Sequence, residues 1–183
     1  MSRAYGSFGR TTPPARHVLQ AREAIAVLES RTACAGMMLP YGNGRSYGDS
    51  CQNQDGAIAD MRSLDRIESF NPQTGRLVAQ AGVQLTQIID HAAPHGYFPA
   101  VVPGTRFVTL GGAIANDVHG KNHHRRGTFG CHVEAIELLR SDGKTYNCTR
   151  SSNARLFSAT IGGMGLTGII LSATVRLMPV GSI

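Results

Sequence analysis

The sequence predicts an α+β fold. Short strand and helix patterns alternate along its 183 residues without a repeated βαβ period. Two glycine-rich loops, at 40–50 and 103–122, also disfavour a doubly wound nucleotide-binding sheet. The first, PYGNGRSYGDS, does not have the spacing of the dinucleotide fingerprint and no helix follows it directly, and neither loop contains the G-K-S/T of a phosphate loop.

Element by element, residues 18–28 follow Pro13-Pro14 and read as a helix, with Val18, Leu19, Ile25, Val27 and Leu28 apolar and alanines between. Gly36-Met37-Met38-Leu39 reads as a buried strand feeding the first loop. Residues 57–59, 66–70 and 76–81 read as strands, the last two joined by the turn Asn71-Pro72-Gln73-Thr74-Gly75. A helix over 83–93 carries Leu85, Ile88 and Ile89 on one face and ends at 94–96, and a short strand over 97–102 feeds the second loop. Residues 132–139 and 144–149 read as a hairpin about Ser141-Asp142-Gly143. Asn153 is placed to cap a short helix through 159, and a long β-branched strand falls within 165–177.

The two loops carry the chemistry. In the second, PGTRFVTLGGAIANDVHGKN, Gly111 and Gly112 have no Cβ, and Thr109 is placed to cap the helix that Ala113, Ile114 and Ala115 begin. A helix start of that kind attracts anions, so the loop reads as a phosphate cradle, with a plain tight turn as the alternative. In the first, Gly42, Gly44 and Gly48 free the backbone, Arg45 and Ser46 add donors and Tyr47 adds a flat ring; a glycine-rich turn between strands is the alternative.

Composition fits a globular domain: 42% of residues are hydrophobic and no apolar run approaches the roughly 18 residues of a membrane span. The N-terminus has arginines without an apolar core, so no secretory signal is expected. Cys34, Cys51, Cys131 and Cys148 are widely spaced with no C-x-x-C, which points to free thiols and a cytoplasmic location. The net charge of +6 is sharpest at 121–126, but without stacking aromatics beside it, so an anionic substrate or lipid phosphate is expected there in preference to nucleic acid. His123, His124 and His132 lack a spaced carboxylate or cysteine partner, and no metal site is expected.

The first loop, the second loop with its HGKNHH continuation, and IGGMGLTGIILSATVRL at 161–177 occur in an order and at separations that resemble the FAD-binding domain of the vanillyl-alcohol oxidase and p-cresol methylhydroxylase superfamily. Within it the resemblance is greatest to the oxidase subunits of decaprenylphosphoryl-β-D-ribose 2′-epimerases, and it covers nearly the whole chain. It implies a two-subdomain FAD-binding domain, with subdomains near 10–102 and 103–179, FAD between them, and the substrate-binding domain absent. By the same resemblance FAD contacts come from Tyr41, Gly42, Asn43, Gly44, Arg45, Ser46, Tyr47, Gly48 and Asp49 in the first loop. From the second come Gly104, Thr109, Leu110, Gly111, Gly112, Asn116, Asp117, Val118 and His119, with Ile170 from the last strand. For Asn116 and Asp117 a turn, and for Ile170 plain core strand, remain alternatives.

His119 is the first candidate catalytic residue, since an imidazole can orient substrate or move a proton near neutral pH. The resemblance puts it beside the flavin, with Tyr47 and Lys121 lining the substrate side. Arg45 stands where many members carry a flavin-linking histidine, and 103–116 contains no cysteine, so a non-covalent FAD is expected. The implied reaction is hydride transfer from a secondary alcohol to flavin, the alcohol being the 2′-hydroxyl of a polyprenylphosphoryl-ribose, with a partner reductase completing an epimerisation. An aldonolactone or alditol oxidase, or a flavin-binding module without turnover, are the alternatives.

Overall fold

The computed structural model describes residues 5–15, 17–31 and 38–181. Strand β1 (His17–Gln20) runs straight into helix α1 (Ala21–Glu29), and β2 (Met38–Tyr41) and β3 (Ala57–Asp60) complete a parallel sheet in the order β1-β3-β2. The expected helix over 18–28 is therefore shorter than its apolar pattern. Val18 and Leu19 pair in register with Ile58 and Ala59, and sheet pairing claims side chains that helix periodicity alone would accept. Helix α1 starts where the Gln20 N–H donates to Glu23 Oε2 at 2.9 Å. It buries Ala21, Ala24 and Leu28 against Ala59, Met61, Leu139 and Ile169. Of the strand expected at 36–39, Gly36 and Met37 lie outside the described residues, as does Cys34; β2 itself is half-buried until Tyr41.

The rest of the chain runs β4 (Ile67–Asn71), β5 (Arg76–Gln80), α2 (Leu85–Ala92), β6 (Tyr97–Phe98), α3 (Leu110–Ala115), α4 (His123–Arg126), β7 (Val133–Leu139), β8 (Thr145–Thr149), α5 (Ala154–Thr160), β9 (Ile169–Arg176) and β10 (Met178–Pro179). Five of these strands form an antiparallel sheet in the order β4-β5-β9-β7-β8, and β6 pairs with β10. Alternate residues of its inner strands, Leu77 and Ala79, Ile136 and Leu138, Ala173 and Val175, meet Leu85 and Ile88 of α2 and Ile114 of α3 in the main core. The fold is α+β, as the sequence predicts.

The turn at 71–75 forms as expected: Asn71 Oδ1 accepts from the N–H groups of Gln73 at 2.9 Å and Thr74 at 3.2 Å, and Gly75 takes a φ of 69°. The hairpin joining β7 and β8 closes with Gly143 at φ 73°. Two expectations hold only in part, for local reasons. The strand expected over 97–102 pairs only at Tyr97–Phe98, because Pro99 has no N–H to continue a ladder. Asn153 occupies the N-cap position of α5, as expected, but its side chain makes no cap hydrogen bond and donates to Asn147 O at 2.9 Å instead. Pro103, the expected subdomain boundary, lies between β6 and α3, and the five-stranded sheet takes strands from both sides of it because β5 pairs with β9 from Arg76↔Arg176 to Gln80↔Ser172.

Candidate functional site

Strand β2 delivers Tyr41, buried, to the mouth of the first glycine loop, where its hydroxyl donates to Gly6 O at 2.6 Å. Burial raises its pKa above that of an ordinary phenol, so the hydroxyl stays a donor. Gly44 then turns with a φ of 60°, and a Cβ there would meet Tyr41 Oη at 2.6 Å and Gly6 O closer still. Among the described residues, the backbone N–H groups of Asn43, Gly44, Arg45 and Ser46 have no protein acceptor. Successive free N–H groups on a positive-φ turn form an anion-binding concavity.

The second loop is built differently from the expectation. Thr109 does cap α3, accepting from the Gly112 N–H at 3.2 Å, but the helix begins at Leu110 and its leading donors are already used. Leu110 N–H donates to Val83 O at 2.7 Å, Gly111 N–H to Ala81 O at 2.8 Å, and Ala113 N–H to Thr109 O at 2.8 Å. The phosphate cradle expected at Gly111 and Gly112 is thus not a set of open donors. Gly111 serves packing, since its Cβ would lie 2.9 Å from that of Ala81 at the end of β5. The two loops interlock: Gly42 has no room for a Cβ against Thr109, and Asn43 Nδ2 donates to Phe107 O at 2.8 Å.

Together they wall a cleft of about 1330 Å³ between the ends of β2 and β3 on one side and β5, α3 and the start of β9 on the other. Of the site residues expected from the sequence, 41–47, Gly104, Thr109, Gly111, Gly112, Asn116, Val118, His119, Lys121 and Ile170 line it. Gly48, Asp49, Leu110 and Asp117 do not. Leu110 is fully buried in the core, Asp117 accepts from the Gly130 N–H at 2.8 Å, Gly48 O accepts from the Gly9 N–H, and Asp49 turns toward residues 7–12. Ile170 is both core and cleft wall.

Tyr47 stands at the mouth, 84% exposed and edge-to-face with Phe8 at 5.3 Å. On the far rim His119 makes a bridge to Thr128, its ring 5.8 Å from that of His123, while Asn122 Nδ2 anchors this segment to Ala100 O at 3.1 Å. Among the described residues that line the cleft there are two full cations, Arg45 and Lys121, and no Asp or Glu. Sequence reasoning missed Phe8, Cys51, Met61, Pro99 and Met164 as lining residues. Only Met164 carries a signal, lying within the 161–177 motif. Burial raises the Cys51 thiol above its usual pKa. Among the described residues no His, Cys, Asp and Glu group is arranged to hold a metal, and no helix is long and apolar enough to cross a membrane.

A family model for an FAD binding domain matches residues 16–149, which include the whole first loop and most of the cleft. The chain belongs to this family. FAD is thereby its cofactor, and the cleft fits one: it exceeds the roughly 300–1,000 Å³ of ordinary ligand pockets, carries free backbone donors for a pyrophosphate, and has apolar walls for a ring system. The chain is 44% identical over 177 residues to a decaprenylphosphoryl-β-D-ribose oxidase of Mycolicibacterium smegmatis, spanning 94% of itself and 38% of that relative. It is 29% identical over 139 residues to the L-gulonolactone oxidase of Mus musculus, spanning 75% of itself and 31% of that enzyme. A D-lactate dehydrogenase of Archaeoglobus fulgidus is 25% identical over 185 residues, with 92% of this chain and 42% of the relative covered. The chain thus spans about two fifths or less of these curated relatives.

Proposed function

We propose that this chain is the FAD-binding part of an oxidoreductase that oxidises a secondary alcohol of a phosphate-linked sugar, the 2′-hydroxyl of a polyprenylphosphoryl-ribose. The observation that carries the reading is the cleft itself: free N–H groups at Asn43 to Ser46, cations at Arg45 and Lys121, and no carboxylate among the described residues lining it. The likeness to the mycobacterial oxidase supports the choice of substrate. Bound FAD supplies a two-electron acceptor for the hydride leaving the alcohol carbon. The loop donors hold the cofactor's pyrophosphate, and Val118 and Ile170 contribute apolar wall to the flavin slot. His119 orients the alcohol or accepts its proton, Lys121 beside it receives the sugar's phosphate, and Tyr47 closes the mouth.

Attachment of FAD is non-covalent on this reading, since Arg45 forms no flavin bond and 103–116 holds no cysteine. A partner reductase would complete an epimerisation, in the cytoplasm. Absorbance spectra of the purified chain with added FAD, taken before and after acid precipitation, test the cofactor. Flavin bands that pass to the supernatant are the expected outcome; bands that stay with the pellet refute non-covalent binding, and no bands at all refute the FAD reading for this chain. Bleaching of flavin by polyprenylphosphoryl-ribose, measured with the FAD-loaded protein, tests the substrate. Bleaching by an aldonolactone instead would favour the second reading, a sugar-lactone oxidase, which rests on the likeness to L-gulonolactone oxidase.

A further inference from the structure

Residues 5–15 form a strap bound along the first glycine loop, with Phe8 reaching the mouth of the cleft, and one carboxylate is its hub. Asp49 accepts from the Thr12 N–H at 2.8 Å, the Thr11 N–H at 3.1 Å, and the hydroxyls of Ser7 and Thr11. Those hydrogen bonds, with Ser7 first and Thr11 next, hold its pKa far below the usual carboxylate range, so it is an anion across the whole working range of pH. Around this hub the strap and loop meet backbone to backbone. Gly9 N–H donates to Gly48 O at 2.8 Å, and a Cβ on Gly9 would lie 2.6 Å from Asp49 Oδ1. Tyr41 Oη holds Gly6 O, and Gln52 closes the strap by accepting from the Ala15 N–H and donating to Tyr5 O, both at 2.9 Å.

Asn43, Gly44, Arg45 and Ser46 of the same loop line the cleft, and their backbone N–H groups have no protein acceptor. Such a row of donors repels itself and has no internal bonds to keep its shape. From this arrangement we infer that Asp49 is a positioning residue for the cofactor: its carboxylate clamps the strap, at Ser7, Thr11 and Thr12, to the first glycine loop, and the strap holds the four donors of residues 43–46 in the form that receives the pyrophosphate. Asp49 touches no ligand and acts through the strap. The inference rests on the FAD reading above, and it replaces direct cofactor contact as the role of this residue.

The test is titration of FAD fluorescence with the 183-residue chain, comparing wild type, Asp49→Asn, the donor-side pair Ser7→Ala with Thr11→Val, and all three changes together. Neither Ser7 nor Thr11 lines the cleft, so both sides of the clamp are probed without touching the ligand. Asp49→Asn and the donor-side pair should each weaken binding about tenfold, ~1.4 kcal/mol, and the combination should be no weaker than either. Limited proteolysis should cut the strap faster in each variant, and saturating FAD should restore protection. Wild-type binding with Asp49→Asn within about twofold of it overturns the inference alone, as do losses that multiply across the two sides. If Asp49→Asn fails to fold, the donor-side pair decides by the same thresholds. No binding by wild type overturns the FAD reading and the inference with it.

Discussion

Substitutions at Thr109 separate capping from packing at the junction of the two loops. Its hydroxyl accepts from the Gly112 N–H at 3.2 Å, and the residue is 3% exposed against Gly42. Losing an N-cap acceptor costs about 1 kcal/mol, because the Gly112 N–H can recover water from the cleft beside it. Losing a buried methyl costs roughly 0.8 kcal/mol. Thr109→Ser keeps the cap and loses the methyl, so it should cost about 1 kcal/mol; Thr109→Val keeps the methyl and loses the cap, for at least ~1 kcal/mol, since its second methyl also crowds Gly42. Thr109→Ala loses both, for about 2 kcal/mol, or roughly 4–8 °C in Tm for a domain of this size. Thermal and urea unfolding of the three variants measure this directly. If Thr109→Val unfolds with the wild type, the hydroxyl contributes nothing and the account of α3's start is wrong.

Gly44→Ala should weaken FAD binding more than about tenfold, since a left-handed φ costs an alanine ~1–2 kcal/mol and its Cβ meets Tyr41 Oη and Gly6 O; a fluorescence titration with wild-type affinity would refute this. Tyr41→Phe removes the bond to Gly6 O and should lower stability by about 1 kcal/mol, read by urea unfolding, while leaving the β2 pairing intact. Acid should destabilise the chain through depressed carboxylates. Burial pushes both Asp60 and Glu134 up, but the Arg62 hydrogen bonds outweigh it for Asp60, and the bonds from Arg176 and Arg76 outweigh it for Glu134. A carboxyl whose folded pKa is lowered stabilises fully above its unfolded value near ~4, and that contribution is lost as pH falls through the folded value. Tm should therefore hold from about pH 7 to 5 and fall below about pH 4, more shallowly in Asp60→Asn; a Tm unchanged at about pH 3 would refute it.

The elements most legible in the sequence are those whose signal is local. The Asn71 to Gly75 turn, the β7–β8 hairpin and the Thr109 cap depend on side chains within a few residues of the backbone they satisfy. The first loop was legible for the same reason, because its glycines sit where φ is positive or a Cβ has no room. Interactions made at long range were not. Nothing near Val18 announces that Ile58 will pair with it, and nothing near Gly111 reveals that Ala81 O takes its N–H, so the helix start looked like an open anion site. Asp49 shows both sides. Its place in a glycine loop marked it as a site residue, but its partners lie at Ser7, Thr11 and Thr12, in a segment with no helical or strand periodicity to suggest that it packs there at all.

Because β5 is joined on its inner side by β9, the hairpin of β4 and β5 emerges from the ribosome long before the strand that completes it. Until Ile169 and the residues after it are synthesised, β5 carries an open row of backbone donors and acceptors, and Leu77 and Ala79 lack their partners Val175 and Ala173. Closing so long a loop makes this pairing slow, and the waiting edge is one to which another chain could add. Its exposed face carries Arg76, which like-charge repulsion keeps from stacking on its own copies, and which in the finished sheet meets Glu134. Expression yield of this chain should therefore depend on how quickly translation reaches β9.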